Sequence, residues 1–178
     1  PSLIEAKSPM FRPVKYSLFP PLGLATLAAG VDPEDEDAVR NVMKKAAWDF
    51  PVVEGAVRFR IDGEDPGGEI RGEAVRETVS YVARIPEVRR FIVEAIRGMR
   101  AKGPLVVEGR DIGSVVFPDT PHKFYLDADP VERARRRNEE LRATESDSSV
   151  EAVEESLRKR DHLDSTRKTD PLLVAEGA

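Results

Sequence analysis

Arginine is the residue type whose number and grouping offer the clearest chemistry in this chain. The 178 residues carry a formal net charge of -5, yet several of their arginines are grouped in two short stretches. These stretches contain Arg133, Arg135, Arg136 and Arg137, and then Arg158, Arg160 and Arg167. Because a guanidinium group presents a planar fork of donors that matches phosphate oxygens, such clusters suit a polyphosphate ligand. The structural alternative is that Glu132, Glu139 and Glu140 pair with these arginines along one exposed helix.

Two short motifs combine arginine with aspartate. Glu108-Gly-Arg-Asp111 directly follows Leu105-Val-Val107, an apolar run typical of a strand buried in a parallel sheet. Ligands of open α/β sheets bind beyond the carboxyl ends of strands, and a glycine there would let a ligand approach the backbone. The structural alternative is an Arg-Asp pair within a turn.

The second motif is Arg160-Asp-x-x-Asp164-x-x-Arg167. Helical spacing predicts that Arg160, Asp164 and Arg167 share one face, where the carboxylate would hold the arginines and leave donors free for a phosphate. The alternative is a solvated helix face. Periodicity alone gives no role to Ser80, and it places Arg89 opposite an apolar stripe, where an arginine normally faces solvent.

Composition excludes several classes of protein. The absence of cysteine excludes a disulfide scaffold, a thiolate metal site and a cysteine nucleophile. His122 and His162 have no partners at metal-ligand spacing, so no metal site is predicted from the residues. No apolar run reaches the roughly 20 residues of a membrane span, and a pI near 5.3 argues against a protein that coats nucleic acid. We therefore expect a cytoplasmic globular protein without a membrane or nucleic-acid polymer partner.

Local patterns predict the elements that must position these residues. Helices are predicted after Asp32-Pro33, from Gly72 to Ile85, from Pro86 to Gly103, after Asp129-Pro130 and after Ser149. Alternation predicts a strand over residues 57–61 with a turn at Asp62-Gly63, and Phe124-Tyr-Leu126 reads as a second buried parallel strand. The expected architecture is α/β with a small α+β insertion.

Several motifs agree in sequence, order and spacing with one known family. They are Gly68-Glu-Ile-Arg71, Val79-Ser-Tyr-Val-Ala-Arg-Ile-Pro-Glu-Val-Arg89, the stretch from Glu108 to Ala128, Glu132-Arg-Ala-Arg-Arg-Arg137 and the Arg160 to Arg167 motif. Over roughly residues 30 to 175 the chain resembles bacterial cytidylate kinases. The resemblance implies a P-loop nucleoside monophosphate kinase fold with a parallel sheet, a lid and a CMP-binding insertion. It places the core in 1–54 and 101–178, the lid near 133–149 and the insertion in 55–100.

The resemblance also implies an activity: ATP-dependent phosphorylation of CMP and dCMP to CDP and dCDP, with Mg²⁺, by a monomer. The residues implied to bind substrate are Arg12, Ser80, Arg89, Gly109, Arg110, Asp111, Asp164 and Arg167. Catalytic roles are implied for Arg110, Arg160 and Arg167, and contacts of the lid with ATP for Arg133, Arg136 and Arg137.

Departures from the family pattern leave alternatives open. The chain has no G-x-x-x-x-G-K-[ST] loop, and the next family motif is matched only by Lys7-Ser-Pro-Met-Phe-Arg12, followed by what looks like an insertion from Pro13 to Leu22. Because the chain begins at Pro1 and ends soon after Leu172-Leu-Val-Ala175, we expect a fragment. Two alternatives to a kinase are a non-catalytic CMP-binding or interaction remnant and a chain that does not fold alone.

Overall fold

Six helices form most of the regular secondary structure in the residues that the structure, a computed structural model, describes: 12–14 (backbone only), 19–54, 56–142 and 149–178. The helices are α1 (Phe19–Ala28), α2 (Glu36–Lys45), α3 (Glu73–Val82), α4 (Pro86–Gly98), α5 (Pro130–Arg142) and α6 (Val150–Thr166). Short single-turn helices span Glu69–Arg71, Met99–Lys102 and Ile112–Val116. The strands are β1 (Arg12–Val14), β2 (Trp48–Asp49), β3 (Val52–Val53), β4 (Ala56–Val57), β5 (Arg60–Ile61) and β6 (Leu105–Val107).

Capping residues set the helix starts, and most of the predicted starts are confirmed. The carboxylate of Asp129 accepts hydrogen bonds from the backbone of the first turn of α5, and the Ser149 hydroxyl does the same for α6. Pro86 opens α4 at a position where a missing N–H costs nothing. These helix starts can be predicted from the sequence because each depends only on neighbouring residues.

The start of α2 differs from its prediction. The helix begins after Asp35, whose carboxylate accepts from the N–H of Ala38, and not after Asp32. Asp32 instead accepts from the N–H of Glu34, which closes a local turn ahead of the helix. Asp32 and Asp35, three residues apart, could each cap the helix, and the second one does so.

The parallel sheet appears in the described residues as one pair of strands. β1 lies parallel to β6, from Arg12 beside Leu105 to Val14 beside Val107. The prediction of a strand at Phe124-Tyr-Leu126 is wrong for this structure: the segment is irregular, and Phe124 and Leu126 are 89% and 93% exposed. A strand needs a neighbour to pair its backbone, and no strand of the described residues lies beside this segment.

The four short antiparallel strands form one hairpin. β2 pairs with β5 and β3 pairs with β4 in a single register, interrupted at Pro51, which has no N–H to donate. The N–H of Arg58 donates to the Pro51 carbonyl across this break. Asp62 and Gly63 have φ values of 53° and 87°, which confirms the predicted tight turn.

The apolar core joins the hairpin to the helices. Its largest cluster of buried residues consists of Leu22, Val39, Met43, Val57, Phe59, Val82, Ile85, Val88, Ile92, Ile96, Met99 and Val116. A second cluster, of Ala134, Leu141 and Val153, lies between α5 and α6. Residues on both sides of the proposed boundary at 55 share the larger cluster, and the division into core and insertion stays a prediction. Among the described helices, none has the length and apolar content to cross a membrane.

Candidate functional site

A hollow at the carboxyl end of β6 brings together most of the predicted site residues. It lies between the turn after β6 and helices α3, α4 and α6. The predicted residues on its wall are Ser80, Arg89, Gly109, Arg110, Asp111, Arg160, Asp164 and Arg167. Four segments that are distant in sequence therefore meet beyond the carboxyl end of a parallel strand, which is where ligands of open α/β sheets bind.

Arg89 is the most deeply buried charged residue of the hollow. The residue is 1% exposed, and its side chain makes ion pairs with two carboxylates, Asp111 through Nη2 and Asp170 through Nε at 2.8 Å. Its guanidinium carbon also lies 5.5 Å from the centre of the Phe19 ring. The prediction from periodicity that Arg89 faces solvent is wrong, because these partners compensate its charge inside the protein.

Asp164 holds two arginines that approach from different segments. Its Oδ2 accepts from Arg110 Nη1 at 2.9 Å, and its Oδ1 accepts from Arg167 Nη1 at 3.1 Å. Arg160 approaches the same carboxylate more loosely, with Nε 4.0 Å from Oδ2. The three motif residues lie on the hollow side of α6 and its end, so the prediction that they share one face is confirmed.

The ion pairs continue into one network, in which arginine and aspartate alternate. Asp111 Oδ2 accepts from Arg167 Nη2 at 3.3 Å as well as from Arg89, and Asp161 pairs with both Arg110 at 2.6 Å and Arg133 at 2.9 Å. In order, the network is Asp170, Arg89, Asp111, Arg167, Asp164, Arg110, Asp161 and Arg133. The carboxylates hold like-charged guanidinium groups close together, and an anion can bind by taking a carboxylate's place.

The turn after β6 places Arg110 and Asp111 on the wall of the hollow and does not contain the Arg-Asp pair of the structural alternative. Arg110 and Asp111 do not pair with each other: Arg110 contacts α6 carboxylates, and Asp111 contacts Arg89 and Arg167. A Cβ at Gly109 would lie 2.8 Å from Cγ1 of Ile112. Packing within the turn therefore favours glycine here.

The predicted lid arginines divide into two groups. Arg136 pairs with Glu132, and Arg137 pairs with Glu140, along the exposed surface of α5. For these the structural alternative of pairing along one helix is confirmed in this conformation. Arg133 instead reaches Asp161 on α6, so it connects α5 to the arginines of the hollow.

Some residues that contact the site carry little signal in the sequence, and one predicted side chain lies outside the described residues. Asp170 and Phe19 contact the site arginines, but nothing in their local pattern distinguishes them from surface or core positions. Asp161, the aspartate that follows Arg160 in the motif, contacts Arg110, although no role was predicted for it. Ser80, for which the resemblance implies substrate binding, lines the hollow from α3. The side chain of Arg12 lies outside the described residues.

A pH dependence follows from Asp161. Burial would raise its pKa, but hydrogen bonds from Arg133 and Arg110 outweigh this effect and hold the pKa below its usual value of 3.8. A lowered pKa contributes stability that is present above the unfolded-state pKa and is lost as the pH falls through the folded-state value. In Asp161→Asn this contribution is absent.

We therefore expect Asp161→Asn to be less stable than the wild type at about pH 7, with the difference shrinking below about pH 4. Urea unfolding at several pH values measures this difference. Asp119→Asn is the control, since Asp119 is exposed and outside the network. A difference for Asp161→Asn that stays constant down to about pH 2 would contradict the assignment.

The described residues contain no cluster of three or more side chains that could hold a metal ion without other ligands. Each aspartate of the network is paired with at least one arginine, which leaves no set of free carboxylates for Mg²⁺.

Comparison with known proteins shows the family of this chain. The family model of cytidylate kinase matches residues 16–178, a region that begins after Arg12. The chain is 45% identical over 156 residues to a cytidylate kinase of Mycobacterium leprae, covering 87% of this chain and 68% of that protein. It is 46% identical over 157 residues to that of Mycobacterium avium, with the same coverage. It is 40% identical over 162 residues to that of Caldanaerobacter subterraneus, covering 91% of this chain and 70% of the relative. With its site arginines gathered at one hollow, the chain belongs to the cytidylate kinase family.

Proposed function

We propose that this chain transfers the γ-phosphoryl group of ATP to CMP or dCMP, giving ADP and CDP or dCDP. The observation that carries the proposal is the convergence of Arg89, Arg110 and Arg167 on one hollow at the end of β6. Membership of the cytidylate kinase family supports the same reaction and does not favour the alternative of a non-catalytic remnant.

The arginine pair at Asp111 offers a place for the nucleotide phosphate. Arg89 and Arg167 both donate through Nη2 to Asp111 Oδ2, so a phosphate oxygen at that point would receive two charge-assisted hydrogen bonds. An oxygen of this bound phosphate attacks the γ-phosphorus of ATP, and the bond from that phosphorus to the ADP oxygen breaks. The reaction needs alignment and charge neutralisation more than covalent help from the protein.

The catalytic roles proposed for Arg110, Arg160 and Arg167 follow from their position. All three lie around the carboxylate of Asp164, and Arg160 is on the more exposed side. Their guanidinium groups can stabilise the negative charge on the transferring phosphoryl group from fixed positions.

Recognition of cytosine is proposed for Ser80, Asp164 and the turn formed by Gly109, Arg110 and Asp111. The base presents an exocyclic amine as donor and a ring nitrogen as acceptor. A carboxylate can accept from the amine while a guanidinium or hydroxyl group donates to the ring. Uracil reverses this pattern and would leave buried polar groups unpaired, which is the strongest basis for rejecting a close analogue.

The ATP side of the site is proposed on α5. Arg133, Arg136 and Arg137 would close over ATP as part of the lid, which requires them to exchange their present carboxylate partners for phosphate oxygens. Arg133 would couple closure of the lid to the hollow, because its partner Asp161 also pairs with Arg110. Mg²⁺ is assigned no protein ligand among the described residues.

The substrate assignment predicts a ranking of nucleotides. In an assay coupled to ADP release, with ATP and Mg²⁺, we expect turnover of CMP and dCMP to exceed that of UMP by roughly 100-fold or more in kcat/KM. AMP is the further control. Turnover of AMP without turnover of CMP would reject the assignment, while CMP binding by calorimetry without ADP formation would support the non-catalytic alternative.

A further inference from the structure

Asp170, which follows α6, contacts both arginines of the proposed phosphate site. Its Oδ2 accepts a hydrogen bond from Arg89 Nε at 2.8 Å, and its backbone carbonyl oxygen accepts one from Arg167 Nε at 2.6 Å. Both contacts use Nε, the guanidinium donor nearest the main chain. The terminal nitrogens of the two arginines stay available to other partners, and their Nη2 atoms meet at Asp111 Oδ2.

The backbone at Asp170 is held in an uncommon conformation. Its φ of 49° lies in the left-handed region, which aspartate tolerates better than most residues but which still carries strain. Just beyond it, the N–H of Leu172 donates to the carbonyl of Asp164 at 2.8 Å and ties the segment to the last turn of α6. In this conformation the carboxylate and the carbonyl of one residue reach different arginines.

We propose that Asp170 is a positioning residue for the phosphate half of the substrate. By holding both Nε atoms, it keeps the guanidinium groups of Arg89 and Arg167 side by side, so that their Nη2 atoms point to the same oxygen. Asp170 acts through the arginines and need not touch the nucleotide. This role rests on the proposed function, in which that shared oxygen belongs to CMP.

A purely structural role would have a different signature. Without the Asp170 carboxylate, Arg89 still pairs with Asp111, and Arg167 still pairs with Asp111 and Asp164. The buried charges therefore stay compensated, and the expected loss is in the orientation of the donors. A loss of orientation weakens binding of a phosphate, whereas it leaves binding of the nucleoside intact.

The test compares CMP with cytidine on variants of residue 170. Asp170→Gly removes the carboxylate and suits the left-handed backbone. By calorimetry we expect it to raise the Kd for CMP about tenfold and to leave the Kd for cytidine unchanged. In Asp170→Asn the amide oxygen can still accept from Arg89 Nε, so the Kd for CMP should return to within about threefold of the wild type.

Glu54→Gly is the matched control. Glu54 is also a carboxylate residue with a left-handed φ, of 51°, but it is exposed and lies in the hairpin away from the hollow. Its variant should bind both ligands as the wild type does. If Asp170→Gly does not fold, Asp170→Ser repeats the comparison, since its short hydroxyl cannot replace the carboxylate at Arg89.

The outcomes separate this role from the proposed function. Unchanged CMP binding in Asp170→Gly, or equal losses for CMP and cytidine, would overturn the positioning role while the kinase assignment stands. Failure of the wild type to bind CMP would overturn the proposed function, and this role with it. A loss specific to CMP that asparagine restores would support the role.

Discussion

Replacement of Arg89 with methionine is expected to lower the free energy of unfolding by about 3–5 kcal/mol, the range for breaking a buried ion pair by removing one partner. Arg89 is almost fully buried and holds Asp111 and Asp170, which would lose their shared cation. Methionine has a similar length and can fill much of the space, so the loss of charge compensation would dominate the effect. Urea unfolding at neutral pH measures the change.

Arg90→Met is the matched control for this experiment. Arg90 is the next residue of α4, but its side chain is 70% exposed and forms an ion pair with Glu87 at 3.6 Å. Exposed pairs of this kind contribute little, so the expected change is within about 0.5 kcal/mol. Equal effects of the two substitutions would show that the burial and ion pairs of Arg89 do not determine its contribution.

Replacement of Asp164 with alanine is expected to lower kcat/KM for CMP by about 100-fold or more. Its carboxylate accepts from Arg110 and Arg167, and hydrogen bonds to charged groups contribute about 1.5–3 kcal/mol each. Without it, these guanidinium groups lose a common partner, and Arg160 loses the nearby carboxylate as well. The reacting groups would then be held less well in the transition state.

Glu155→Ala is the control for this second prediction. Glu155 lies on the same helix and is exposed, outside the hollow. Its variant should keep the wild-type kcat/KM, which separates the loss of the site carboxylate from the loss of a negative charge on α6. Steady-state kinetics with CMP as the varied substrate measures both variants, and wild-type kinetics in Asp164→Ala would contradict the proposed role.

The helices show which structural features can be predicted from local sequence. The first residues of α4, α5 and α6 were predictable because proline at the first position or a capping side chain acts within one turn. The strand predicted at Phe124 was wrong because an apolar run becomes a strand only when a neighbour accepts its backbone hydrogen bonds. That neighbour is a non-local property, and the described residues do not supply it.

The candidate site likewise has residues that the sequence predicted and residues that only the tertiary structure shows. Resemblance to cytidylate kinases selected Arg89, Arg110, Asp164 and their companions, and the structure places them around one hollow. Periodicity alone assigned Arg89 to the surface, yet Arg89 is buried on α4 together with Val88 and Ile92. The carboxylates that compensate its charge come from other segments, and the local pattern does not register them. Asp170 carried no signal at all, because its function in the network depends on where the chain turns after α6.

By itself, the sequence determined most of the helices, the caps of α5 and α6 and the charged motifs that are available, since these depend on interactions within a few residues. Only the tertiary structure decided which carboxylate pairs with which arginine. Such pairing depends on how α4, α6 and the turn after β6 pack, and burial makes each partner obligatory because an unpaired charge away from water is costly.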